Sequence, residues 1–122
     1  MITANNDLFS IHQIAHEDGV IAATLGINQD SAILKGHFPG HPVVPGACML
    51  QIIKEVLEEA LNLSLRLKKA DHLKFMTMID PMNILIVNLD ITYNYKDDGV
   101  IFLNAKLSNA DVVYFKFQGD FV

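Results

Sequence analysis

One stretch limits the folds open to this chain more than any other. Residues 46–62 carry its single long run of 3.6-residue periodicity, a helix of about four turns. Leu50, Ile53, Val56, Leu57, Ala60 and Leu61 make a broad apolar face. Gln51, Lys54, Glu55, Glu58 and Asn62 make a polar one, with Gln51 near its centre. Toward the helix start, only the small residues Ala47 and Cys48 flank the polar arc, which leaves room for another chain or a ligand. An amphipathic helix must bury its apolar face, and the rest of this sequence offers strands to bury it against.

Those strands show as period-two alternation. Residues 8–15 make a short, weakly patterned candidate after a polar lead-in over residues 1–6. Residues 20–27 are clearer: Ile21, Ala23, Leu25 and Ile27 share one face, and Gly19 marks the turn before them. Residues 28–31 read as a turn. Beyond the helix, residues 65–78 read as one long strand or two joined by a bulge. In residues 84–95, Leu85, Val87, Leu89, Ile91, Tyr93 and Tyr95 alternate with polar residues. Asp97-Asp98-Gly99 has the composition of a hairpin turn. Residues 100–107 follow with Ile101, Leu103, Ala105 and Leu107 inward, then a turn over 108–111 and a last strand over 112–118. The expected class is α+β, an antiparallel sheet wrapped around one long central helix.

Composition narrows the setting. The 122 residues contain no long polar linker, so a single domain over residues 1–122 is expected, small enough that a partner subunit would help it. A formal net charge of −5 argues against nucleic acid as the main partner, since phosphate contacts need a basic face. The lone cysteine, Cys48, forms no intrachain disulfide and fits a reducing cytoplasm. No segment has the length and apolarity of a membrane span or the build of a signal peptide, so a cytoplasmic protein without membrane insertion is expected.

The chemistry-bearing motif lies just before the helix: Gly36-His37-Phe38-Pro39-Gly40-His41-Pro42-Val43-Val44-Pro45-Gly46. Six of these eleven residues are Gly or Pro, and three of the protein's four prolines sit here. Proline fixes φ and glycine opens conformations closed to other residues, so the path is irregular and stiff. A histidine on such a path keeps its direction, and the loop ends where a helix start offers free N–H groups. His37 and His41 do not make a metal pair, because Pro39 and Gly40 break any helix between them and no third ligand is placed. No metal or other cofactor is expected.

This loop closely resembles the active-site loop of the hotdog-fold 3-hydroxyacyl-(acyl-carrier-protein) dehydratases of fatty-acid synthesis. Lys74-Phe75 followed by Ile79-Asp80-Pro81 is similar to a strand motif of that family, with Met82 where a glycine is usual. The resemblance implies the hotdog fold and a hydro-lyase that converts a 3-hydroxyacyl thioester to the trans-2-enoyl product. His37 matches the histidine that removes the C2 proton. Gly46 matches the glycine whose N–H holds the thioester carbonyl, and Phe38, Gly40, Val44 and Phe75 join it as substrate-binding candidates. The family's carboxylate, fourteen residues after the histidine, is here Gln51. An amide hydrogen-bonds a hydroxyl but cannot protonate it near neutral pH, and general acid catalysis is worth about 10²–10⁴ in rate. Glu55, one turn further on, is either a substitute acid or a solvated helix charge.

Other residues keep two readings each. Phe75, Met76 and Met78 line an acyl tunnel or are ordinary core. Arg66, Lys68, Lys69 and Lys74 meet the acidic surface of a carrier protein or form a solvated strand edge, and Lys35 and Lys54 flank the expected site mouth. Cys48 has no base placed beside it and reads as packing. His12, His16 and His72 carry no pattern. The resemblance further implies an acyl-carrier-protein partner and a homodimer or higher oligomer, because the histidine and the helix residue come from opposite subunits in that family. The alternatives are a non-catalytic acyl-thioester-binding subunit of a mixed dimer with an active dehydratase, and a hotdog thioesterase.

Overall fold

A computed structural model of the chain describes residues 2–3, 7–36 and 43–122. In chain order the elements are β1 (Ile2–Thr3), β2 (Phe9–Glu17), β3 (Val20–Ile27), α1 (Ala32–Gly36), α2 (Gly46–Leu61), β4 (Leu67–Phe75), β5 (Ile86–Tyr95), β6 (Ile101–Asn109) and β7 (Val112–Phe121). The strands form one sheet in the order β1-β2-β3-β5-β6-β7-β4, with every neighbouring pair antiparallel. Three of the joins are tight hairpins, and each turns on residues with positive φ. Asp18 and Gly19 (φ 48° and 79°) close β2–β3, Asp98 and Gly99 (64° and 75°) close β5–β6, and Ala110 (52°) closes β6–β7. Gly19 is also fixed by a close approach. A Cβ there would lie 2.9 Å from the Tyr93 carbonyl oxygen, and Tyr93 N–H donates to the Gly19 carbonyl at 2.9 Å.

The inward residues named from the alternation in β3 and β6 are all buried, as are Val87, Leu89 and Ile91 of β5. Tyr95 and Leu85, expected on the same face, are instead 58% and 53% exposed, because they lie at or beyond the strand ends. From the opposite side α2 contributes Met49, Ile52, Ile53, Val56 and Leu57. The buried stripe is therefore rotated from the expected one. Met49 and Ile52 belong to it, whereas Leu50, Ala60 and Leu61 are only partly buried. Both stripes satisfy 3.6 periodicity, and packing of the helix against β2 and β3 selects between them. Each fully buried aliphatic side chain adds roughly 1.5–3 kcal/mol, so this shared layer holds the domain together.

Two local features depart from the sequence reading, and the segment after α2 resolves an alternative that it left open. The lead-in is not all loose, since Ile2 and Thr3 pair with Ile11 and Ser10. A short helix, α1, fills residues left unassigned after the turn at 28–31. Ser31, fully buried, starts it: its hydroxyl accepts from Ile33 N–H at 3.3 Å and donates to Asp7 Oδ1 at 2.5 Å. The segment after α2 is one strand, β4, with register shifts between Leu67 and Lys69 and between Ala70 and His72. It pairs with β7 and ends the sheet, so the meander proper has three strands, β5–β7. Glu58, read only as part of the polar face, ties the helix end down. Its Oε2 accepts Leu65 N–H at 2.7 Å and lies 3.9 Å from Lys54 Nζ, while Asn62 adopts the left-handed cap conformation (φ 54°).

Candidate active site

The stretch entering α2 is extended and tethered. Val44 N–H donates to the Ile79 carbonyl at 3.2 Å, and Pro45 takes the N-cap position (φ −65°, ψ 143°). The Pro45 carbonyl accepts from Cys48 and Met49 N–H groups at 3.1 and 3.3 Å. Proline has no side chain able to cap the N–H groups before these, and the first turn holds no acid. The helix start thus keeps its positive dipole end uncompensated by its own residues.

Against this end lies a cavity of about 310 Å³ lined by Val43, Val44, Pro45, Gly46, Met49, Phe75, Met76, Thr77 and Met78. Its far wall is positioned by the end of β4. Met76 N–H donates to the Tyr114 carbonyl at 2.9 Å, and the Phe75 ring stacks on Phe115 with centroids 4.8 Å apart. Phe75 in turn lies over Gly46 so closely that a Cβ at Gly46 would sit 2.5 Å from the ring. Glycine is required here by that approach: any side chain would displace the aromatic wall. The lining is mostly aliphatic, aromatic and thioether, suited to an alkyl chain, with backbone N–H groups of the helix start at one end.

Three of the residues expected to bind substrate, Gly46, Val44 and Phe75, thus line one cavity, joined by Met76 and Met78 of the expected tunnel. Those last three residues are not ordinary core, being 58% (Phe75), 44% (Met76) and 74% (Met78) exposed. Met49, which sequence reasoning did not single out, lines the cavity as well, and only the helix rotation reveals it. His37, Phe38, Gly40 and His41 lie outside the described residues. Gln51 and Glu55 are half-buried on α2. At 100° per residue, Gln51 stands about 200° around the axis from Met49, so it faces away from the cavity of its own chain.

The remaining candidates separate. Burial pushes the Cys48 thiol above its ordinary range, which leaves it a protonated packing group. Lys54 leans on Glu58. The basic run on β4 does not make one patch. Lys69 pairs with Asp71 at 3.2 Å, Lys68 borders a depression beside Lys96 and Asp97, and Lys74 lies in a different trough on the outer sheet face. Asp80, noted only as part of a strand motif, organises the turn behind the cavity. Its carboxylate accepts from Met82 N–H at 3.0 Å and from Asn83 Nδ2 at 2.6 Å. His12 sits at a bulge, bonded to Ser10 Oγ at 3.1 Å, and His16 is bonded to the Tyr93 hydroxyl at 2.5 Å. Among the described residues no group of His, Cys, Asp and Glu could hold a metal, and no helix is long and apolar enough to cross a membrane.

Comparison with known proteins places this arrangement. The backbone superposes on the dehydratase heterocomplex ApeI:P from Xenorhabdus doucetiae with a TM-score of 0.72, at 14% identity over 92% of this chain and 96% of that one. A hypothetical thioesterase from Streptococcus pneumoniae, solved with coenzyme A, gives 0.65 at 8% identity, covering 98% and 86%. The fold is therefore the hotdog fold. In sequence, the 3-hydroxyacyl-(acyl-carrier-protein) dehydratase FabZ of Xylella fastidiosa is 25% identical over 103 residues, 76% of this chain. The chain spans 64% of that relative's length. The family model for ApeI-like proteins, described as ApeI dehydratase, matches residues 13–116, from β2 through α2 and its cavity into β7, and on that match the chain belongs to the ApeI-like dehydratase family.

Proposed function

We propose that the chain acts on 3-hydroxyacyl thioesters as a dehydratase, eliminating water to give the trans-2-enoyl thioester. The observation that carries this is the apolar cavity ending on the uncapped start of α2, with Gly46 held bare under Phe75. An acyl chain lies along Phe75, Met76 and Met78, and its thioester carbonyl accepts the Gly46 N–H. His37 takes the C2 proton. Negative charge moves onto the carbonyl oxygen, where a fixed donor is worth most. The C3–oxygen bond then breaks, and the hydroxyl leaves as water once it receives a proton. Phe38 and Gly40 complete the substrate-binding loop.

Protonation of the hydroxyl is the step this sequence handles unusually. Gln51 stands where the family's carboxylate is expected, and Glu55 carries the nearest carboxylate on the same arc. Gln51 faces away from the chain's own cavity and Glu55 follows one turn along the same arc, so we assign both to a cavity supplied by a partner subunit. The exposed edge strand β4, with Leu67, Leu73 and Phe75 between 40% and 58% exposed, is the surface we assign to that partner. The relative FabZ is named for an acyl-carrier-protein substrate, and we adopt that carrier here, with the whole chain acting as one hotdog domain in the cytoplasm.

One observation favours a second reading: an amide occupies the acid position in a chain whose fold matches a dehydratase heterocomplex. In that reading the chain is the acyl-binding subunit of a mixed dimer, and the active partner brings the carboxylate. Incubating the purified protein with a 3-hydroxyacyl thioester, reading enoyl absorbance and free thiol, separates the cases. Enoyl product marks the dehydratase and released thiol a thioesterase. Neither product, with enoyl formation appearing on adding an active dehydratase subunit, marks the mixed dimer. Gln51→Glu should raise turnover by roughly 10²–10⁴ if the missing acid limits the reaction. Unchanged turnover would sink that explanation, and a fall in Glu55→Gln would identify Glu55 as the acid.

A further inference from the structure

A trough of about 660 Å³, larger than the cavity at α2, lies on the outer face of the sheet, bordered by β4, β7, β6 and β5. Strand register puts Lys74 opposite Lys116, Lys116 opposite Lys106, and Lys106 opposite Asp90. Three lysines far apart in sequence thus form one row straight across three strands. All three are exposed, and none makes an ion pair among the described residues. The adjacent row is His72, Gln118, Asn104 and Thr92, each able to hydrogen-bond, and these residues also border the trough.

This row works against the fold. Directly opposed residues in an antiparallel pair have Cβ atoms about 4.5–5.5 Å apart, and like charges there are destabilising. The sheet carries two such pairs side by side and relieves only the outer end, with Asp90. It does so in a protein whose other six basic residues are outnumbered by fourteen acidic ones. Concentrating a third of its cations in one unneutralised line gives this face a polarity opposite to the rest of the surface.

The spacing selects the ligand. Strands lie about 4.8 Å apart, so the three ammonium stems start over roughly 10 Å in even steps of about 5 Å. Acidic residues at i, i+4 and i+7 of a helix step by about 5–6 Å along one face. A helix laid across the strands would set one carboxylate above each lysine and turn a neutral polar flank toward His72, Gln118 and Asn104. Nucleic acid fits poorly, because the overall negative charge opposes a long polyanion beyond these three contacts. A compact anion would need donors converging on one point rather than an open row. The geometry points to an acidic amphipathic helix of a partner protein as the occupant of this trough.

The test uses the full chain and a labelled, stapled helical peptide carrying Glu at i, i+4 and i+7, beside a permuted peptide of the same composition. Binding is read by fluorescence anisotropy at about 50 mM and 300 mM salt, across which exposed charge pairs become strongly screened. The in-register peptide should bind at low salt and weaken as salt rises. Lys106→Glu and Lys116→Glu should each weaken it by about tenfold or more, equivalent to about 1.4 kcal/mol. Lys68→Glu, which lies at a different depression, should leave it unchanged. Lys116→Glu also places an acid between two lysines, so its melting temperature should rise while binding falls, which separates lost docking from lost folding. Equal affinity for the permuted peptide, or reversals at 106 and 116 no more harmful than at 68, would overturn the proposal. So would displacement of the peptide by duplex DNA or anionic vesicles at lower concentration than by unlabelled peptide.

Discussion

The meander β5–β7 and the strand β4 belong to one sheet, yet they are built on different rules. Along β5 and β6 the inward residues Val87, Leu89, Ile91, Leu103 and Leu107 are fully buried, and the outward ones, Ile86 and Phe102 apart, are mostly polar or charged. Along β4 every residue is exposed, although Leu67, Leu73 and Phe75 are as apolar as the core. The first region spends its apolar residues on the fold. The second leaves them at an open edge, beside the cavity at the start of α2, where Phe75 serves as wall to Gly46. Stability and site are thus housed in separate parts of the sheet, with β7 as the join between them.

The sharpest way to break this contrast is to truncate one leucine in each region. Leu89→Ala should destabilise by about 2–5 kcal/mol, because it empties a fully enclosed position. Leu73→Ala, 44% exposed on β4, should cost no more than about 0.5 kcal/mol in urea unfolding of the isolated chain. Comparable losses at both positions would mean that β4 is core after all.

The second test asks whether the cavity depends on the one contact that crosses from helix to edge strand. Gly46→Ala adds a methyl 2.5 Å from the Phe75 ring. That forces a shift of the wall or the helix start, and displacement of about 1 Å in a site can cost about a hundredfold in rate. Enoyl formation should fall by about that factor, or acyl-thioester affinity should fall if the chain is the binding subunit. Adding Phe75→Ala should recover part of the loss by making room. A double variant no better than Gly46→Ala alone would show that the two residues do not share the cavity in solution.

The same division explains what was legible in the residues alone. Where one face of a strand is buried, alternation reports it: β3 was bounded correctly at Val20 and Ile27, and the inward set of β6 was complete. The long helix was found to within a residue of both ends, since Pro45-Gly46 and Asn62 are chemical stop signals. Which of two adjacent helical stripes would be buried was not legible, because Leu50 and Ile52 are equally apolar and only the packing of α2 on β2 and β3 prefers Ile52. That β4 would leave its neighbours and pair with β7 was equally hidden, as was the lysine row, which exists only once β4, β7 and β6 are set in register. At the site, the glycine and its loop were readable as a motif. The reason position 46 must be glycine was not, because the ring that excludes a side chain comes from residue 75.

The smallest expected effect concerns the seam where α2 begins, between the two regions. Burial holds the Cys48 thiol above its ordinary range, and burial together with Tyr95 does the same for the Tyr93 phenol. Each group binds its proton more tightly folded than unfolded. Below about pH 8.5, where an ordinary thiol is still protonated in both states, neither affects stability. As pH rises past that value the unfolded chain loses the Cys48 proton first, the folded state then holds more protons, and stability must decline. Urea midpoints should therefore be flat from neutral pH to about 8.5 and drop beyond it, with Tyr93 extending the fall at still higher pH. Cys48→Ala should remove the early part of the drop and leave the later part. The same protonated thiol should alkylate more slowly at pH 8 in the folded chain than in urea. An early drop unchanged in Cys48→Ala, or alkylation as fast in the folded state, would place the thiol in open solvent and leave the start of α2 looser than the contact between Phe75 and Gly46 requires.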